Sequence, residues 1–448
     1  MQNKLIQSTT EYAITRREFL WLSSLSAAGF MVGCAANPVT GRSQLMLISE
    51  TQEIQIDKQR SPHQFSSDYG PLQDKFLNNY VNQTGKKLAA LTHRPHMPFS
   101  FRGVNATYVN AYAFPGGGIA ATRGILLALE NEAQLAALLG HELGHVNARH
   151  TAEQMSKGLL TNVLIGGVAT YAGTKSSGLG KLTSQLGMVG AGALLASYSR
   201  DNEREADALG LEYMVRAGYN SNGFVGLMDL LRRMSKHKPN TIELMFATHP
   251  MSDERYRTAV ESVRTQYRSA QKFPLHRDRY MDHTSKLRAM KGAIEAMQKG
   301  ESFMAKGKYG EAEAHFKKAL KQAPEDYTGL TMMSICQLAQ KNYAKAGLFA
   351  EKAKKVYPQE AQAYHFSGFA KIKQKDYVSA HEEFKHYENL LPGNPNTIFY
   401  KGLSLEGMQH LKESANEYYG YLKIVTRGDK AEYAYQRLVE WGYIKPRQ

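Results

Sequence analysis

Cysteine is almost missing from this chain: there are two in 448 residues, Cys34 and Cys336. They lie far apart in segments of different texture, which excludes a disulfide framework and leaves no set from which to build a zinc finger. Cys336 is expected to be a buried helix residue. Long apolar runs are scarce as well. The stretch from Phe19 to Val32 falls short of the roughly 20 residues that a membrane span needs. Dense Lys/Arg blocks and an RNA-recognition signature are also absent, so the net charge of +15 does not point to nucleic acid. The lysines are spread over helical faces, as solvated surface with a weak attraction to anionic partners. What the chain does have is enough length for two folded domains and a hydrophobic fraction of 42% to give each a core.

The first 33 residues are an address rather than a fold. Thr15-Arg16-Arg17-Glu18-Phe19-Leu20 opens the short apolar stretch, and the pair of arginines resembles a bacterial twin-arginine export signal. Met31-Val32-Gly33-Cys34 resembles a lipobox, in which the cysteine is acylated and becomes the mature N-terminus. The resemblance implies a periplasmic protein anchored through Cys34, and Ala35 in place of an aspartate implies the outer membrane. The alternative is an ordinary cleaved signal with Cys34 incidental. Residues 34–60 are polar and turn-rich and suit a tether.

Residues 61–275 read as a mixed, mainly helical domain. Pro98 to Val104 alternates weakly, as a strand does, and Asn110 to Phe114 is strand-like. Pro115-Gly116-Gly117-Gly118 breaks the pattern, and Ile119 to Thr122 resumes as a return strand. Glu130 to His150 reads as one long helix. Two apolar, Gly/Ala-rich arms, Leu159 to Tyr171 and Leu186 to Tyr198, suggest a packed or interfacial hairpin, or a lid. Residues 276–292 form a linker. From Ala293 a period of 34 residues sets in: Tyr309, Tyr343 and Tyr377 share a phase, as do Ala312, Ala346 and Ala380, and Pro324, Pro358 and Pro392. Gly300, Gly368 and Gly402 share another, with Ser334 at the missing place. This resembles the tetratricopeptide repeat, in three clear copies (293–326, 327–360, 361–394), a degenerate fourth and a capping helix ending near 441. Such arrays stack into a solenoid that accepts ligands on a concave face.

The chemistry is carried by His141-Glu142-Leu143-Gly144-His145. Residues i and i+4 share a helix face, so both imidazoles can reach one Zn2+ ion. Glu142 is placed to take a proton from a water on that ion. A catalytic zinc takes a third protein ligand and keeps one position open. A third histidine in the same run would fall at Thr151, after a glycine at Ala148, so that arrangement fails; His150 is one residue out and reads as a helix-surface or capping histidine. The ligand must then come from a later helix. Glu203 and Asp207 are four apart and share a face. Glu203 can ligate, and Asp207 can accept the free ring N–H of a ligand histidine. Glu205 reads as a solvated charge.

These two motifs together resemble the gluzincin peptidases, the family of HtpX and the CAAX prenyl endopeptidase. Asn37-Pro38-Val39-Thr40-Gly41-Arg42 resembles the mature start of its exported bacterial members. The resemblance implies one zinc per chain on His141, His145 and Glu203, with Glu142 as the base. The fold class it implies is mainly α, a gluzincin-type metalloprotease domain with a small β-sheet followed by an α-solenoid. A further element, Thr248 to Arg255, resembles a His-Pro…Arg segment of exported relatives. His249 can approach the zinc, even close its open position, or meet the scissile oxyanion. Arg255 can orient a carboxylate or stabilise developing charge. The bland alternative is a helix start with Pro250 at its first position. Asn110 to Phe114 is either an interior strand or an edge strand to which a peptide substrate adds.

The function so implied is an endopeptidase of the bacterial envelope, acting on misfolded or stalled outer-membrane proteins. The repeats would recruit clients or the assembly machinery. The rival is a chaperone or scaffold in which proteolysis is secondary.

Overall fold

A computed structural model describes residues 34–164, 197–237 and 239–446. The export signal at 1–33 and most of the apolar hairpin at 159–198 lie outside the described residues. The chain opens with an antiparallel hairpin, β1 (Cys34–Ala36) and β2 (Ser43–Leu45). Two helices follow, α1 (Glu50–Ser67), started by a Ser49/Gln52 capping box, and α2 (Lys75–Ala89), capped by Asp74. A three-stranded sheet comes next: β3 (Ser100–Val104), β4 (Ala111–Ala113) and β5 (Gly118–Thr122), ordered β3-β5-β4. β5 runs parallel to β3 and antiparallel to β4. The outer edge of β3 is closed by α2, whose Asn82 and Asn78 side chains accept the amides of Phe101 and Gly103 at 3.2 and 2.8 Å. β4 is the other edge and packs on the central helix.

After the short α3 (Arg123–Ala128), that central helix is α4 (Glu132–Asn147), buried over its whole length. Both its ends are pinned. At the start, Glu132 accepts from Tyr80 and Tyr219 at 2.6 and 2.7 Å and pairs with Arg279. At the end, the buried Arg94 donates to the Val146 carbonyl at 2.8 Å. The helix does not run on to His150. It stops at Asn147, and Arg149 turns into the left-handed region at φ 62°. α5 (His150–Leu164) then begins in a new direction. The remaining helices of this half are α6 (Arg200–Arg216), α7 (Asn222–His237), α8 (Pro239–Thr248) and α9 (Asp253–Arg264).

Two stretches that read as connectors are folded. Residues 34–60 are not a tether: they form the hairpin and most of α1. Glu53 of α1 is buried against Arg94 and Arg149, and buried Asp57 accepts the Gly118 amide at 2.6 Å. These carboxylates look like solvated charge in a sequence because their partners lie 41 to 96 residues away. Residues 276–292 are not a free linker either. They form α10 (Arg277–His283) and α11 (Ser285–Ala289), and buried Tyr280 donates to the Leu126 carbonyl at 2.6 Å.

Four helix pairs and a cap complete the chain: α12 (Lys291–Ala305) with α13 (Tyr309–Gln322), α14 (Tyr327–Ala339) with α15 (Tyr343–Val356), α16 (Gln362–Lys373) with α17 (Tyr377–Leu390), α18 (Pro395–Gly407) with α19 (Leu411–Leu422), and α20 (Asp429–Glu440). The periodic glycines each face an aromatic ring of the partner helix. A Cβ on Gly300, Gly368 or Gly402 would meet Phe316, Phe384 or Tyr418 at 2.3, 2.8 or 2.7 Å. In the second pair the ring's place is held by Ala350, which leaves room for Ser334, whose hydroxyl donates to the Ala346 carbonyl at 2.8 Å. The fourth pair is therefore a full repeat. Cys336 is buried in α14 as a free thiol, and burial pushes its pKa up to about 11. No helix among the described residues is long and apolar enough to cross a membrane.

The repeats pack on the first domain through buried polar contacts. Arg123 pairs with Asp326 at 2.7 Å. Two carboxylates from the repeats accept from hydroxyls of the first domain: Glu301 from Thr107, and Glu360 from Ser66. Burial pushes both up to about 7 from an ordinary 4.5, against those hydrogen bonds. A raised folded-state pKa means that their stabilising contribution is full below 4.5 and is lost as pH rises through about 7. The melting temperature should therefore fall by a few degrees between pH 5.5 and 8.5. In the double variant Glu301→Gln/Glu360→Gln most of that drop should vanish. Calorimetry at the two pH values checks it, and an equal slope in both proteins would count against this assignment.

Candidate metal centre

The centre is made by two helices that approach more closely than side chains normally allow. A Cβ on Gly140 would lie 2.8 Å from the Gly210 carbonyl oxygen, and one on Gly144 2.9 Å from Ala206. With small residues at the crossing, α4 and α6 touch through backbone. His141 and His145 on α4 then face Glu203 on α6. His141 Nε2 and His145 Nε2 are 3.1 Å apart, and the Glu203 oxygens lie 3.3 Å from His145 Nε2 and 3.6 Å from His141 Nε2. His249, in the turn after α8, joins them: its Nδ1 is 3.3 Å from His141 Nε2 and 3.0 Å from Glu203 Oε1. All four are buried, with donor atoms within 4.8 Å of one another. Tetrahedral Zn2+ with ligands at about 2.0–2.2 Å sets its donors roughly 3.4 Å apart, so this spacing suits one ion.

Glu142 supplies the strongest sign that the cluster is built around a cation. Both its oxygens are buried and accept no hydrogen bond, and the nearest cationic group is His249 Nε2 at 3.8 Å. An ionised carboxylate left so in an interior costs on the order of several kcal/mol. A metal ion with its water removes that cost, so the residues fit the group. Burial raises the Glu142 carboxyl above its ordinary pKa, against the pull of His249 and His141. Glu203 goes the other way: burial would raise it, but His249, His145 and His141 together hold it well below. Burial lowers His145 strongly, which keeps the imidazole neutral as a ligand must be.

Around this core the side chains are held in turn. Asp207 Oδ1 lies 2.9 Å from His141 Nδ1. Arg255 grips Asp207 with two contacts of 2.6 and 2.7 Å and reaches Glu203 Oε2 at 2.6 Å. Arg255 thus lies against both carboxylates behind the donors. Pro250 is not the first residue of that helix. α9 starts at Asp253 with Ser252 as its cap, and the Pro250 carbonyl accepts from Arg255 at 2.9 Å. His150 is not on a surface. It is buried with Nδ1 3.0 Å from His145 Nδ1, and Glu205 is not simply solvated, since it meets His150 Nε2 at 3.3 Å. The structure also brings in Tyr198, which the sequence reads only as the end of the second apolar arm. Its ring stacks on His145 at 3.8 Å, and its amide donates to the Thr248 carbonyl at 3.0 Å, beside His249. Only its place one residue before the Ser199 cap of α6 could have drawn attention to it.

Residues 76–263 match Peptidase family M48, and residues 303–366 match the tetratricopeptide repeat. The chain therefore carries an M48 peptidase domain followed by tetratricopeptide repeats. Over 187 residues it is 31% identical to the beta-barrel assembly-enhancing protease of Yersinia pestis, 41% of this chain and 38% of that relative. Metalloprotease YcaL of Escherichia coli is 31% identical over 181 residues, 40% of this chain and 63% of that protein. Mitochondrial metalloendopeptidase OMA1 of Schizosaccharomyces pombe is 25% identical over 271 residues, 58% of this chain and 77% of that protein. The match thus spans under two fifths of the assembly-enhancing relative. M48 peptidases depend on zinc, and the buried donor set of this M48 domain suits that cofactor.

Arg255→Ala should leave Glu203 and Asp207 without their shared counter-charge and weaken zinc binding about 10- to 100-fold. Competition against a chromophoric chelator measures it. Wild-type affinity in that variant would remove Arg255 from the centre.

Proposed function

We propose that this chain is a zinc-dependent endopeptidase of the bacterial cell envelope that cleaves misfolded or stalled outer-membrane proteins. The observation that carries the proposal is the buried Glu142, whose oxygens accept no hydrogen bond, beside four converging donors. His141, His145 and Glu203 are the residues that hold the ion. Zinc held there supplies a Lewis acid that makes water deprotonable near neutral pH and polarises a carbonyl. Glu142, buried beside these donors, takes the proton and returns it to the leaving amine. Arg255 and Asp207 keep Glu203 and His141 in place while charge moves.

His249 stands where a fourth donor would close the open position, which suits a resting state that a substrate must displace. Three histidines and a carboxylate make a complete tetrahedral set, and closed sets of that kind are structural rather than catalytic. The ladder bonds from Thr122 to Asn110 and from Phe114 to Gly118 turn the main-chain groups of Ala111 and Ala113 to the outer side of β4. Ala111 and Ala113 are buried, so an extended peptide would pair there only once that edge is uncovered. The repeats are assigned to recruitment of clients or of assembly machinery. Cys34 is assigned to lipid attachment, and since β1 begins at that residue, acylation would hold the peptidase domain close to the bilayer. The rival reading, a scaffold with secondary proteolysis, separates through one variant.

Glu142→Gln should keep zinc and lose proteolysis of an unfolded outer-membrane protein by at least about 100-fold. If the variant still supports full function in the cell, the scaffold reading takes over. His249→Ala should raise the cleavage rate. An unchanged rate together with unchanged zinc affinity would rule out the closing role of His249.

A further inference from the structure

The metal-side nitrogen of His145 is Nε2, which faces His141 and Glu203 at 3.1 and 3.3 Å. A neutral imidazole that ligates through Nε2 carries its hydrogen on Nδ1. That hydrogen points at His150 Nδ1, 3.0 Å away. Two N–H groups cannot face each other, so His150 Nδ1 is bare and His150 carries its hydrogen on Nε2. Nε2 lies 3.3 Å from Glu205 Oε2, an acceptor. The other Glu205 oxygen accepts the Asn37 amide at 3.1 Å. Asn37 is fixed in turn: its side-chain oxygen accepts the amides of Val39 and Thr40 at 2.8 and 3.3 Å, and its own backbone closes the β1–β2 turn with Arg42 and Gly41, both at 2.8 Å. With His145 on the metal, every donor in this chain of contacts meets an acceptor in one tautomer assignment.

We propose that His150, Glu205 and Asn37 form an ordered hydrogen-bond line that fixes the His145 ring, so that the N-terminal hairpin is a positioning element of the metal centre. The proposal rests on the reading of His145 as a ligand. His150 can play this part because α4 stops at Asn147. The left-handed Arg149, held by Glu53 at 2.9 Å and by the Ile48 carbonyl at 2.7 Å, swings His150 back under His145. The opposite ligand is held the same way, with Asp207 behind His141 at 2.9 Å and Arg255 behind Asp207. The difference is the origin of the support. One line comes from the helices of the M48 domain, and the other ends in residues 37–42, ahead of residue 76 where the family match begins.

Chelator competition on the full-length, zinc-loaded protein and the visible spectrum of its Co2+ form provide the test. His150→Phe should weaken zinc binding about 10- to 100-fold, the usual cost of losing such a partner. His150→Asn, which keeps an acceptor near the His145 N–H, should recover part of the loss. Asn37→Asp removes the donor without changing shape and sets a second carboxylate against Glu205. It should weaken zinc binding by a smaller factor and shift the Co2+ bands. His150→Phe also risks the fold, so Asn37→Asp is the decisive variant. If it binds zinc as the wild type does and gives the same Co2+ spectrum, the line is packing only and the proposal is overturned. A wild-type protein without stoichiometric zinc would instead overturn the metal-centre reading beneath it.

Discussion

The close approach of α4 and α6 is the constraint on which the rest depends. Two histidines one turn apart make half of a metal site, and they gain the other half only if a second helix comes near enough for a short glutamate side chain to reach them. Gly140 against Gly210, and Gly144 against Ala206, allow that approach. Larger side chains at the crossing would force the backbones apart, and core overpacking of this kind costs about 1–3 kcal/mol. The two pinned ends of α4 serve the same purpose, because a helix that slid by one residue would turn His141 and His145 away from Glu203.

The second theme is charge held without water. Glu142, Glu203 and Asp207 lie within one small region that is largely closed to solvent, where Arg255 and the facing histidines His141, His145 and His249 oppose them. His249 is pulled above its ordinary pKa despite burial, by Glu203 and Glu142. This balance suits a site that takes up a divalent cation. It also explains why the arginine is built into the back of the site, where it touches Glu203 and Asp207.

Much of this was legible in the sequence, for definite reasons. The i, i+4 pair and the later Glu203/Asp207 pair obey helix geometry, which is local. The repeats announce themselves through a 34-residue period that survives even where Ser334 replaces glycine, and the structure adds why that exchange is tolerated opposite Ala350. What failed to show was long-range. A buried ion pair such as Glu53 with Arg94 and Arg149 looks like solvated charge until the chain folds. The end of α4 at Asn147 leaves no proline or glycine signal, because Arg149 itself takes the left-handed turn. From that one missed break followed the misplacing of His150 and Glu205. Tyr198 reads only as the end of an apolar arm, because a ring stacked on a distant histidine leaves no periodic pattern in the sequence.

The most direct test of the account is X-ray absorption on the zinc-loaded resting protein. It predicts one zinc per chain in a four-coordinate shell of three imidazole nitrogens and one carboxylate oxygen, from His141, His145, His249 and Glu203. A protein that takes up no stoichiometric zinc, or a shell with fewer than two imidazoles, would contradict it.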